Sequence, residues 1–210
     1  MLSGFTLAPS TTRDDDRPMT SANWNVKPTN SVEMAFLHDD VLRSTTARWW
    51  FVPHWHKKDV KEWKATTFNA KIETAHEKPT FRTAWKSSRC IIPASGYYEW
   101  TGPKGAKQPW WIAPKINAPV FFFAGLHSWL SDGTRTCTII TRPALKQIEH
   151  LHARTPVMLA EDEVKPWLTI SETDDEVIGY YGTQWEDRMD FHKVKPIGKD
   201  DHGPELIEPL

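Results

Sequence analysis

Apolar and polar residues alternate with a period of two through much of this chain, with short stretches of helical spacing between the alternating runs. A period of two sends successive side chains to opposite faces of a strand. It predicts strands over Val32–Leu37, Thr46–Val52, Arg89–Pro93, Tyr97–Thr101, Gln108–Ile112, Arg135–Thr141 and Met189–Val194. Within Pro119–Leu126 the run Phe121-Phe122-Phe123 is continuous, as in a strand buried on both faces. Turn chemistry separates these runs at Asp39-Asp40, at Ser95-Gly96 and over Gly102–Ala106. Pro28 biases Lys27 towards extended geometry, so Trp24–Thr29 reads as extended. Phe81, Ala84 and Trp85 fall on one stripe at helical spacing, which predicts a helix over Pro79–Ser87 started by Pro79. Further short helices are expected over Pro143–His150, Glu161–Leu168 and Thr173–Tyr181, the last two with acidic first turns that suit the positive end of a helix. Gly203–Leu210 reads as a short extended tail, and residues 9–20, with Asp14-Asp15-Asp16, as a flexible loop. Strands with a few short flanking helices make a β-rich α+β domain, expected to span residues 1–210 as one unit.

Composition narrows the class. At 39% hydrophobic and 25% charged, the chain has enough apolar surface to fold. Twelve tryptophans in 210 residues imply either a heavily aromatic core or ring platforms on which nucleobases stack. No run approaches the roughly 20 apolar residues of a membrane span, and the start of the chain lacks the apolar stretch of a secretory signal, so a cytoplasmic protein that does not enter a membrane is expected. Cys90 and Cys137 each lie in an apolar strand-like run, which reads as two buried free thiols in a reducing compartment and not as a metal site. The net charge is only −1, but it is unevenly spread. Residues 1–160 carry 21 Lys and Arg against 13 Asp and Glu, and residues 161–210 carry 5 against 14. That asymmetry points to a basic binding face, or to an acidic tail folded over a basic body.

Three stretches carry candidate chemistry. In Pro53–Lys64, His54, Trp55, His56, Lys57, Lys58, Lys61, Trp63 and Lys64 interleave cations with indoles. This suits a single-strand groove, where phosphates meet cations and bases stack on rings, and equally a solvated loop over an aromatic core. The two histidines have no acidic or thiol partners at ligand spacing, so no metal is expected. In Phe68–Trp100, Asn69 and Glu73 flank an apolar run, and Glu99 sits between large aromatics. Burial there raises a carboxyl pKa and makes a proton carrier. The plainer alternative is a surface Glu99 paired with Arg89 or Lys107 across a hairpin. Asn69 as a turn cap and His152 as a core-edge histidine are the corresponding plain readings.

Six ordered blocks resemble one family. Asn25-Val26-Lys27-Pro28-Thr29 is similar to its N-V-A-P-T segment, and Arg48-Trp49 with Val52-Pro53-His54-Trp55 to its R-W-G-L-I-P-x-W block. Asn69-Ala70-Lys71-Ile72-Glu73-Thr74 resembles N-A-R-x-E-T. Arg89–Ala94 with Gly96-Tyr97-Tyr98-Glu99-Trp100 resembles R-C-L-x-P-A-D-G-[FY]-Y-E-W. Leu151–Pro156 resembles I-H-D-R-M-P, and Gly203–Pro209 the closing G-P-E-L-I-x-P. On these blocks the chain is identified as a member of the SRAP family, the SOS-response-associated peptidase-like proteins.

The resemblance implies a twisted sheet or barrel with short flanking helices, no cofactor, and a monomer that binds single-stranded DNA or abasic-site DNA in the DNA damage response. In the family an N-terminal Cys closes a thiazolidine on the ring-opened abasic sugar. By resemblance Asn69 holds the N-terminus, Glu99 shuttles protons, and His152 assists imine formation. Arg48, Trp49, Trp50, Trp55, Lys71 and Arg154 are the implied DNA contacts. The chain departs from the pattern where it opens Met1-Leu2-Ser3-Gly4-Phe5 against the family's Met-Cys-Gly-Arg-Phe. Leu2 therefore stands at the nucleophile position, and stable crosslinking is not expected. Lys71 replaces an Arg, Trp50 a Gly and Ala153 an Asp. Three alternatives to reversible lesion binding stay open here: a weak abasic-site lyase acting through a transient imine on the Met1 α-amine, a thiol-type peptidase or hydrolase, as the family name has it, and a degenerate member used for protein–protein contacts.

Overall fold

The computed structural model describes residues 23–115, 121–169 and 172–210. The Leu2 position and the loop expected at residues 9–20 lie outside the described residues, as do the first two residues of the strand expected at Pro119–Leu126.

Eleven strands and three α-helices are present among the described residues. A hairpin of β1 (Ser31–His38) and β2 (Val41–Trp49) turns on Asp39 and Asp40, both at positive φ. β3 (Asn69–Lys71) follows a long loop, and α1 (Arg82–Ser87) leads into β4 (Arg89–Ala94). β5 (Tyr97–Thr101) and β6 (Gln108–Pro114) form a second hairpin, which with β11 (Met189–Lys193) makes a separate three-stranded sheet. β7 (Phe121–Trp129), β8 (Arg135–Pro143), β9 (Arg154–Pro156) and β10 (Met158–Leu159) complete the main sheet. α2 (Glu161–Thr169) and α3 (Asp174–Tyr180) follow, α3 opening on a Thr173–Glu176 capping box.

The pairings β1–β2–β8–β7–β4–β1 close on themselves, so five strands form a ring. Alternate residues of that ring face two cores. Ala35, Ile91, Ala124, Leu126 and Ile140 join Trp85 of α1 and Val164, Trp167 and Leu168 of α2 on the outer, helical side. Met34, Phe36, Cys90, Ile92, Phe123, Cys137 and Ile139 fill the other face and meet Ile112 and Met189 of the small sheet. Both cysteines are fully buried free thiols, as their apolar surroundings predicted.

β8 organises the site region. One edge pairs with β2 and then, through residues 139–141, with parallel β3. The other edge pairs with β7 through residues 135–139 and then with β9 through residues 141–143. Where β7 and β8 diverge, residues 154–159 fill the gap, with β9 on β8 and β10 on β7.

Three expectations need correction. The helix expected over Pro143–His150 is only a single 3-10 turn, Lys146–Ile148, because β8 runs on to Pro143 and Pro143 pairs with Arg154. The strand expected over Thr46–Val52 begins at Val41 and ends at Trp49, since the two-residue turn fixes a longer hairpin register. The tail expected to be extended over Gly203–Leu210 contains a 3-10 turn, Pro204–Ile207, with Leu206 buried.

Candidate functional site

Asn69 and Lys71 lie on the exposed face of β3, with Ala70 buried between them. The three-residue strand is held from outside the ladder. The Trp49 indole N–H donates to the Phe68 carbonyl at 2.7 Å, and the Trp50 indole N–H to the Ala65 carbonyl at 3.1 Å. Both rings lie against the Phe68 ring, with centroids 6.0 and 5.4 Å away. The half-buried Trp49 and Trp50 thus fix the chain just before Asn69. Arg48 donates to the Thr29 carbonyl at 3.2 Å. Trp55 is different: it is 46% exposed, resting edge-on against Trp63 at 5.6 Å. The loop that carries it has a 3-10 turn at Val60–Glu62, capped by the Asp59 carboxylate.

At Ser95-Gly96 the chain leaves the ring for the small sheet. Gly96 is required there by close approach: a Cβ would lie 2.1 Å from the Trp111 ring. Period two then puts Tyr97 and Glu99 on one face of β5 and Tyr98 and Trp100 on the other. The first face meets the segment before and within β9. Glu99 Oε1 lies 3.6 Å from His152 Nδ1, and the Tyr97 hydroxyl is 3.0 Å from Thr155 Oγ1. Burial pushes the Glu99 carboxyl up, and the neighbouring His152 offsets part of that rise. His152 Nδ1 also lies 3.1 Å from both the backbone N–H and the carbonyl of Arg154. Glu99 is therefore a partly desolvated carboxyl beside an imidazole, and it does not pair with Arg89 or Lys107. Arg89 is buried elsewhere, its guanidinium between the Trp85 and Trp167 rings at 4.9 and 4.6 Å.

A second constellation adjoins the first. Arg154 makes a bidentate pair with Glu73, Nη1 to Oε1 at 2.6 Å and Nη2 to Oε2 at 2.8 Å, and Nη2 reaches the Thr141 carbonyl at 2.6 Å. Burial works against ionisation of Glu73, but the Arg154 hydrogen bonds and charge outweigh it and hold the carboxyl below its ordinary value. Thr141 pairs with Lys71 on one side and Pro156 on the other, so β3, β8 and β9 meet at one level. The structure thus joins Glu99 to His152 and Glu73 to Arg154. Among the described residues no side-chain hydrogen bond links Asn69 to either pair.

Sequence reasoning missed the roles of Tyr97, Glu73 and Thr141. Tyr97 was recoverable, since it stands two residues before Glu99 on an alternating strand. Thr141 was not, because nothing local marks which carbonyl a distant arginine reaches. Among the described residues no group of three or more His, Cys, Asp or Glu is placed to hold a metal, and no helix is long and apolar enough to cross a membrane. Both thiols are held up by burial, Cys90 well above its usual range, so neither is placed or ionised as a nucleophile.

Comparison with known proteins identifies the family. The family model for SOS response associated peptidase (SRAP) matches residues 4–197. The abasic site processing protein YoqW of Bacillus subtilis is 34% identical over 195 residues, covering 89% of this chain and 85% of that protein. The abasic site processing protein YedK of Escherichia coli is 27% identical over 199 residues, covering 92% and 87%. A solved protein from Bacteroides thetaiotaomicron superposes with a TM-score of 0.71 at 23% identity, over 87% of this chain and 82% of that one. With a family model matched across nearly its whole length, the chain belongs to the SOS response associated peptidase (SRAP) family.

Proposed function

We propose that this protein recognises abasic sites in single-stranded or gapped DNA in the DNA damage response, and does so reversibly. The observation that carries the reading is the apposition of Glu99 and His152 at 3.6 Å, on a half-buried face reached from two separate sequence blocks. The relatives' names associate such chains with abasic sites.

Burial shifts the Glu99 carboxyl towards its protonated form, in which it is a hydrogen-bond donor. It donates that proton, as a hydrogen bond, to the oxygen of the ring-opened sugar aldehyde or its hydroxyl. His152 lies beside it and offers its imidazole as a second polar group to the same sugar. An intact nucleotide carries a base where the abasic sugar leaves space, so the lesion alone lets its sugar approach both groups. The exposed cation of Lys71, on the strand fixed by Trp49 and Trp50, meets a flanking phosphate, with Arg48 as a second basic contact. Trp55 supplies a stacking surface for a neighbouring base. Asn69 is exposed on the same strand, two residues from Lys71.

Thiazolidine closure needs an amine and a thiol on one residue, and Leu2 has no thiol. Cys90 and Cys137 are buried and cannot replace it. The same lack of a usable thiol disfavours a thiol peptidase.

The test is competition binding, by fluorescence anisotropy at low salt, between an abasic oligonucleotide and an intact one. Wild type is expected to prefer the abasic strand by at least about tenfold, the equivalent of about one net hydrogen bond. Glu99→Gln and Asn69→Ala are expected to lower that preference. Equal binding of both strands by wild type contradicts the proposal.

A further inference from the structure

We propose that Tyr97 and Thr155 are positioning residues, and that the hydrogen bond between their hydroxyls sets the gap between Glu99 and His152. The inference rests on the abasic-site reading above and adds two uncharged residues to it.

The two site residues stand on different sheets. Glu99 is on β5, an edge strand of the small sheet that pairs with β6, and His152 precedes β9, which pairs with β8 of the main sheet. No strand pairing therefore fixes one against the other. At 3.6 Å the two groups are too far apart for a hydrogen bond of their own. Among the described residues, the bond from Tyr97 to Thr155 at 3.0 Å is the hydrogen bond that joins β5 to residues 150–156.

Both ends of that bond are anchored. Thr155 is buried, and its backbone pairs with Arg142 of β8. Tyr97 is the cross-strand partner of the buried Ile112, and its ring rests against Phe123 of β7 with centroids 6.1 Å apart. From these anchors the levers to the site are short. Tyr97 and Glu99 are next neighbours on one face of β5, about 7 Å apart along the strand. Thr155 adjoins Arg154, whose backbone N–H donates to His152 Nδ1 at 3.1 Å. The contacts close a circuit: Glu99 to Tyr97 along β5, Tyr97 to Thr155 through the hydroxyls, and Thr155 back to His152 through the Arg154 backbone. The gap between carboxyl and imidazole is the remaining side of that circuit.

Each hydroxyl is the other's only hydrogen-bond partner among the described residues. Burial pushes the Tyr97 phenol up and the Thr155 bond offsets part of the rise, so the phenol stays un-ionised. Deleting one hydroxyl orphans the other in a dry site, whereas replacing both by apolar groups of the same shape is nearly neutral for stability.

That asymmetry separates positioning from plain stabilisation. Tyr97→Phe and Thr155→Val are each expected to lower the urea midpoint and to lower the abasic preference at least about threefold. With both substitutions together the midpoint returns close to wild type and the preference stays low. Thr155→Ser, which keeps a hydroxyl, keeps the preference. A preference that recovers along with stability in the double variant overturns the inference, and so does wild-type preference in either single variant.

Titration of Glu99, followed by carbon NMR of its carboxyl in the free, full-length chain, tests the same point without DNA. Loosening β5 from residues 152–155 admits water to Glu99 and also moves His152 away. The two changes act in opposite directions on the carboxyl, and burial is the larger, so the midpoint falls. A fall of at least about half a pH unit, threefold in proton affinity, is expected in the double variant, and none in Thr155→Ser. An unchanged midpoint in the double variant overturns the inference. Should wild type show no abasic preference, the functional reading falls, and the titration still decides whether the hydroxyl pair holds Glu99 against His152.

Discussion

One added carbon at Gly96 should disturb both stability and the site, and the structure says by how much. An ideal Cβ there lies 2.1, 2.5 and 2.6 Å from three atoms of the Trp111 indole, so the ring must retreat by more than an ångström to reach ordinary contact at 3.4 Å. It has little room. Trp111 is 8% exposed, and the Tyr98 ring, its cross-strand partner, sits 4.9 Å away. Gly96 is not at positive φ, so the penalty is steric only, and overpacking of this kind costs about 1–3 kcal/mol. Retreat of Trp111 shifts β6 against β5 one residue from the Glu99–Trp110 pair, which moves Glu99 relative to His152. Gly96→Ala is therefore expected to lose about 1–3 kcal/mol in urea unfolding followed by far-ultraviolet circular dichroism, and to weaken the preference for abasic strands. Trp111→Leu removes the obstacle and leaves a cavity of its own. In the double variant the two losses should fall short of additivity by at least about 1 kcal/mol. Stability of Gly96→Ala within about 0.5 kcal/mol of wild type, or strict additivity, would refute the steric argument.

Two further outcomes follow from the fold. His127 is 9% exposed, with its ring 4.8 Å from Phe36 and its pKa lowered by burial from 6.5 to about 4. Below pH 6.5 the unfolded chain takes a proton that the folded chain refuses, so stability falls as pH drops from 6.5 to about 4. The integrated loss is about 3 kcal/mol, and urea unfolding should find this slope much reduced in His127→Gln; an unchanged slope counts against it. Asp39 and Asp40 hold φ of 51° and 58° in the two-residue β1–β2 turn, a conformation that Asn and Gly adopt more readily. Replacing the pair with Asn-Gly should stabilise the protein by about 0.5–1 kcal/mol, and a loss of stability in the same assay would show that the carboxylates do more than turn the chain.

Much of this was legible in the sequence because it is local. Alternation located β1 and β5, a continuous apolar run located β7, and turn chemistry located Asp39-Asp40 and Gly102–Ala106. β3 was not legible: three residues, alternating exposed and buried, carry no periodicity, and the strand exists because β8 offers an edge and Trp49 and Trp50 hold Phe68. Pro143–His150 misled because its first residue continues the β8 pairing and the rest closes only one 3-10 turn. The six sequence blocks pointed to Glu99 and His152, but their contact joins positions 53 residues apart, and only the fold shows that Arg89 is committed to Trp85 and Trp167. Trp49, Trp50 and Trp55 look alike in sequence. Burial separates them, leaving Trp55 as the exposed ring.

The most direct test of reversible lesion recognition sets wild type beside Leu2→Cys, with mass spectrometry confirming removal of Met1 from the variant. Each is mixed with a single-stranded oligonucleotide carrying one abasic site and then run on a denaturing gel, with an intact strand as control. An intact pocket that lacks only its nucleophile predicts a heat-stable adduct for Leu2→Cys on the abasic strand, and for wild type a shift seen only under native conditions. If neither protein distinguishes the abasic strand from the intact one, Glu99 and His152 do not form a lesion-binding site and the account fails.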